Sequence, residues 1–134
     1  MKRRRGHNGE RGAAAVEFAL VFPLLIVLLF GILVFGLVFF QWQGVQAAAR
    51  EGARMASLSQ TTQAQIRDRV DNSLQGVPLP NGRTIAVDPN VARPCNFRAG
   101  QTVRVRVATT TTINIPLIPT ATVSLGGQGV FRCE

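Results

Sequence analysis

Residues 18–40 read FALVFPLLIVLLFGILVFGLVFF, and nothing in this stretch is charged. Every residue is apolar, glycine or proline. At about 1.5 Å per residue, a helix of this length spans roughly 35 Å. A bilayer core is about 30 Å thick and needs about 20 apolar residues. The run is long enough to cross with some tilt. The remaining residues are too few to enclose so long an all-apolar helix as a buried core. The chain is therefore expected to be a single-pass membrane protein.

Outward from the run, charge sets the expected orientation. The chain carries a formal net charge of +8. Half of that excess precedes the run: Lys2, Arg3, Arg4, Arg5 and Arg11 face only Glu10. Basic residues clustered before a first span stay on the cytoplasmic side. Arg50 and Arg54 follow the run but are fewer and farther from its end. The N-terminus is expected inside the cell and the C-terminus outside. Trp42 suits an aromatic anchor at the outer interface.

Four segments follow. Residues 1–12 are a basic, disordered cytoplasmic leader. Residues 13–40 are the membrane helix, interrupted by Pro23, Gly31 and Gly36. Pro23 is either a harmless kink or a subunit-packing feature. Residues 41–75 extend the helix outside the membrane. Here Ala48, Gly52 and Ala56 recur at i, i+4 and i+8, a stripe that lets another backbone approach closely. That backbone belongs either to the protein's own outer domain or to another subunit. Arg50 and Arg54 point roughly the other way, with Glu51 spaced to pair with Arg54. Thr61 or Thr62 is placed to cap a second helical stretch, whose face is Ile66, Val70 and Leu74.

Residues 76–134 change period. Gly76, Pro78, Pro80 and Gly82 stop the helix. Strand candidates are 84–87, 102–112, 120–125 and, more weakly, 129–133. The second is the best, with Val103, Val105 and Val107 alternating with Arg104 and Arg106. The fold class expected is α+β: a long N-terminal helix carrying a small antiparallel sheet. Large apolar side chains are few there, so a staple is useful. Cys95 and Cys133 lie in the outer segment, where disulfides persist, and are expected to pair.

The N-terminal motif is Arg11-Gly12-Ala13-Ala14-Ala15-Val16-Glu17-Phe18-Ala19-Leu20. A secretory signal has its small-residue cleavage site after the apolar region. Here the basic leader ends in Gly12 before it, and a lone acid, Glu17, sits at the mouth of the run. Together with Phe35-Gly36, AAAREGARMAS at 47–57, a valine-alternating strand and RCE at 132–134, this resembles type IV prepilins, within them the TadE-like pseudopilins of tight-adherence pilus systems. The resemblance is strongest in the N-terminal half. It implies cleavage between Gly12 and Ala13 by a membrane prepilin peptidase. It also implies that Glu17, then fifth in the mature chain, pairs with the terminal amine of a neighbouring subunit. Implied partners are that peptidase, other pilins or pseudopilins, the inner-membrane assembly platform and the lipid bilayer.

Other functions find less support. The sole histidine, His7, lies in the leader, and no Ser/His/Asp or Cys/His arrangement is available to the outer domain. Asp68, Asp71 and Asp88 read as solvated surface rather than an acid–base pair. No metal cluster or phosphate loop is apparent, so neither an enzyme, a cofactor nor a small-molecule substrate is expected. Arg93, Arg98, Arg104 and Arg106 could gather into a basic surface for DNA or an anionic polymer. Phe97 and Phe131 are the only aromatics in the outer part, too few for a base-stacking sheet, and nucleic acid is not the expected partner. A membrane-anchored scaffold that never enters a pilus is the alternative reading.

Overall fold

The computed structural model describes residues 8–96 and 98–134, with side chains from Gly12 onward. His7, the basic cluster 2–5 and Phe97 lie outside the described residues, and so do the side chains of Glu10 and Arg11. The elements run α1 (Asn8–Ala56), α2 (Gln63–Ser73), β1 (Thr84–Asp88), β2 (Thr102–Ile113) and β3 (Ala121–Arg132). The fold is α+β.

Helix α1 is continuous for 49 residues and carries Pro23 within it; it is about 74 Å long at helical rise. It begins at Asn8, so residues 8–12, read as disordered leader, are helical. The cause is local: Ala13–Ala15 favour helix, and extending an existing helix costs far less than starting one. Among the described residues before Gln41 none is buried, and most side chains are exposed. The most apolar window is wholly unburied. From Gln41 onward the same helix becomes the core element of a small domain. Val45, Ala48, Ala49, Ala53 and Ala56 are completely buried.

Helix α2 starts at a capping box. Thr62 Oγ1 accepts from the Gln65 amide, and Gln65 Oε1 accepts from the Thr62 amide at 2.9 Å. Each satisfies an N–H that the first turn would leave unpaired. The face Ile66, Val70 and Leu74 is buried against α1. Between them, Gly52 leaves space that a side chain would fill: a Cβ there would lie 2.5 Å from Val70 Cγ2 and 3.2 Å from Val105 Cγ1. The small-residue stripe thus serves the protein's own outer domain.

The sheet is an antiparallel meander in the order β1-β2-β3. Val103, Val105 and Val107 face inward, while Arg106 and Ala108 are exposed on the other face. Period-two alternation dictates that split. The segments 120–125 and 129–133, read as two strands, form one strand with Gly126 and Gly127 inside it. Gly127 and Gly129 explain why. A Cβ on Gly127 would sit 2.5 Å from the Val45 carbonyl oxygen. One on Gly129 would meet the Ala49 carbonyl and stand 2.8 Å from Ala53 Cβ. The glycines are where β3 rests directly on the backbone of α1.

Gly129→Ala is therefore expected to destabilise the domain by about 1–3 kcal/mol, since backbone on both sides cannot yield cheaply. Gly126→Ala, whose Cβ meets nothing, is expected to leave stability within about 0.5 kcal/mol. Denaturant unfolding of the full chain in detergent, followed by circular dichroism, compares the two.

Candidate functional site

Of the residues singled out by sequence, one group surrounds the start of α1 and another closes the outer domain beyond its end. Gly12, Ala13 and Glu17 are all exposed on α1, and Ala13 and Glu17 share a face one turn apart. The Phe18 ring lies 5.3 Å from that of Phe22 on the next turn. Ala13 and Glu17 therefore belong to one accessible stripe of bare helix.

The second group closes the outer domain. Cys95 and Cys133 are bonded, their Cα atoms 5.3 Å apart and 38 residues apart in sequence. Both are buried. The Cys133 amide donates to the Gln101 carbonyl at 2.7 Å, and the Glu134 amide donates to the Ser57 carbonyl at 3.1 Å. The C-terminal strand is thereby tied to the end of α1 as well as to the loop before β2.

At the junction between the two, Gln41 is almost fully buried although it follows directly on the apolar run. Its Nε2 donates to the Pro78 carbonyl at 2.6 Å. One turn on, a Cβ at Gly44 would press against Val77 at 2.8 Å. Neither Gln41 nor Gly44 is among the residues expected from sequence. The signal available was a polar amide and a glycine in phase with the small-residue stripe. Trp42 is exposed beside Phe39, ring centres 5.7 Å apart.

Charged residues are arranged differently from the sequence expectation. Glu51 pairs with Arg69 of α2 at 2.5 Å, not with Arg54. Packing of α2 on α1 brings the Arg69 guanidinium to Glu51. Asp71 pairs with Arg83 at 2.6 Å, Asp68 is exposed on α2, and Asp88 ends β1. Among the described residues no three His, Cys, Asp or Glu side chains gather as metal ligands. Of the four arginines read as a basic surface, Arg104 and Arg106 share the outer sheet face, joined there by Arg132. Arg93 is elsewhere, donating to Gln60 Oε1 at 3.3 Å. Arg98 lies in the loop before β2, with Gln101 Oε1 at 3.5 Å.

An apolar helical segment long enough to cross a membrane, continuing unbroken into a stapled α+β domain, is the build of a single-pass membrane-anchored protein. The model of the TadE-like protein family matches residues 12–54, which take in the apolar part of α1 and most of its buried outer part. The match begins at Gly12 and includes Glu17, Ala48 and Gly52, whereas Ala56 and the whole sheet lie beyond it. It supports a general association with tight-adherence pilus assembly. No curated protein and no solved structure matches the chain significantly.

Cys133→Ser is expected to lower the stability of the outer domain by roughly 3–4 kcal/mol, the loop-closure value for this separation. Thermal melts with and without reductant test it: reductant shifts the parent and leaves the variant unmoved. A smaller, pH-dependent effect is expected at Glu51. The hydrogen bond from Arg69 holds its carboxyl below the ordinary 4.5. The pair's contribution is present above that value and lost as pH falls through the lowered one. Both groups are partly solvated, so it amounts to under about 1 kcal/mol. Glu51→Gln should flatten the acid limb of stability against pH accordingly.

Proposed function

We propose that this chain is a TadE-like pseudopilin, a structural component of tight-adherence pilus assembly or a related secretion machine. Its N-terminus is inside the cell and its outer domain outside. A prepilin peptidase cleaves between Gly12 and Ala13. Glu17 then meets the new terminal amine of a neighbouring subunit and sets the axial register of assembly.

One observation carries this reading. The family match starts at Gly12, and the most apolar window of the helix it covers is wholly unburied. A carboxylate at a membrane boundary is costly unless it is paired or reaches water. A neighbour's amine supplies such a partner, and the bare helix supplies the surface on which the neighbour packs. The small-residue stripe offers no second assembly surface, being covered by the protein's own α2 and sheet. The platform proteins and other pilins are partners of the bare helix in this reading.

A second reading, an anchored scaffold that binds an anionic polymer, draws on Arg104, Arg106 and Arg132 sharing one sheet face. It needs no cleavage, and processing separates the two.

Intact-mass analysis of protein from native membranes should give a chain beginning at Ala13. Gly12→Leu should retain the leader and remain inserted but unassembled. Glu17→Leu should be processed normally yet lose assembly. Normal assembly in both variants would remove the pseudopilin reading. An uncleaved parent chain would put the anchored scaffold in its place.

A further inference from the structure

The β2–β3 hairpin has an uneven distribution of charge. From Val107 through Phe131 no residue is acidic or basic. The arginines stand only at its base, as Arg104, Arg106 and Arg132. Its far end, residues 114–120, reads NIPLIPT. Leu117 is 79% exposed and Ile118 46%, and Leu117 has a φ of 70°. That left-handed conformation is unusual for a non-glycine residue.

The packing of β3 fixes where this end points. Gly127 rests on Val45, Gly129 on Ala49, and Glu134 bonds Ser57. Strand and helix therefore run the same way. Between the first and last of these contacts, about 23 Å of extended chain accompanies about 18 Å of helix. Continued at that pitch, β3 brings Ala121 about ten helix residues before Val45, to the level of Phe35 in the apolar run. The other strand agrees. Asn81 Nδ2 donates to the Thr110 carbonyl at 3.1 Å, in the segment that Gln41 holds through Pro78. Beyond Thr110, β2 continues for roughly 10 Å before the turn. Thr111 is buried there, and Val38 of α1 is half-buried.

We infer that the hairpin tip, Ile115 to Pro119, is a second membrane contact that embeds in the outer interface of the bilayer crossed by α1. The occupant is lipid because the tip is continuous with the bare apolar surface of that helix and lies at its level. An exposed hairpin backbone is poorly tolerated deep in hydrocarbon. This turn limits the difficulty: Pro116 and Pro119 have no N–H to satisfy, and the Ile118 amide donates to the Ile115 carbonyl at 3.1 Å. An interfacial depth suits apolar side chains on so short a turn. Two contacts, helix and hairpin, fix the rotation of the outer domain about the helix axis.

The inference rests on α1 crossing a membrane, and the test separates the two. Full-length chains carrying one added cysteine, Leu29→Cys, Leu117→Cys or Gln128→Cys, are labelled with a small fluorophore. The native disulfide is verified by mass, and each chain is reconstituted into phosphatidylcholine vesicles. Brominated lipid should quench the labels at 29 and 117, whereas aqueous iodide should quench the label at 128. Quenching by lipid at 29 but by iodide at 117 overturns the hairpin contact and leaves the span intact. Lack of lipid quenching at 29 overturns the span, and the hairpin contact with it. A label at 117 shielded from both quenchers, increasingly so at higher protein density, assigns the tip to a second copy and overturns the lipid assignment.

Discussion

The fold depends on how closely a strand can lie on a helix. Ordinarily a layer of side chains separates the two. Here the Cβ positions of Gly127 and Gly129 are already occupied by carbonyls and a methyl group of α1. Opposite them, Ala49 and Ala53 contribute the smallest side chains compatible with a stable helix. The consequence is a thin core whose dispersion contacts are made by backbone and methyl groups. So few large side chains are buried that burial alone gives little margin. The Cys95–Cys133 bond compensates by limiting the unfolded chain, and it does so beside the strand that the glycines bring down.

The same economy determines what α1 can offer to other molecules. Small residues along a helix near a membrane suggest helix–helix association. In this chain Ala48, Gly52 and Ala56 are consumed internally: Gly52 makes room for Val70 and Val105, and both alanines are buried in the same core. What remains free is most of the apolar segment before Gln41, where no residue is buried. The helix is thus divided by partner rather than by structure. Its backbone passes unbroken from one environment to the other.

Much of this was legible in the residues. Val103, Val105 and Val107 gave β2 through period two, Thr61 or Thr62 marked the start of α2, which the structure places at Thr62, and the apolar run gave a candidate span. The reading failed where a residue type carries two meanings. Gly126, Gly127 and Gly129 are turn formers by composition, so β3 was divided at the place where it is most tightly held. Glycine also marks close backbone approach, and only the position of α1 decides between these meanings. Glu51 illustrates the same limit. Local spacing on the helix favoured Arg54, but Arg69, distant in sequence, arrives with α2 and makes the shorter contact. Helical structure at residues 8–12 was missed because polar composition says little about a segment that merely prolongs a strong helix.

Continuity of α1 has a mechanical consequence. Between Phe40 and Gln41 there is no glycine pair, proline or loop to act as a hinge. Gln41 is instead clamped to Pro78, and Gly44 receives Val77 one turn later. A force or a tilt applied to the apolar segment is carried into the outer domain without a joint to absorb it. Pro23, the one residue that weakens the helical ladder, lies well before this boundary, within the bare segment. Bending there changes the path of the helix while leaving the seating of the domain untouched. A chain built this way can bend within the bare helix and still present its sheet in one fixed orientation.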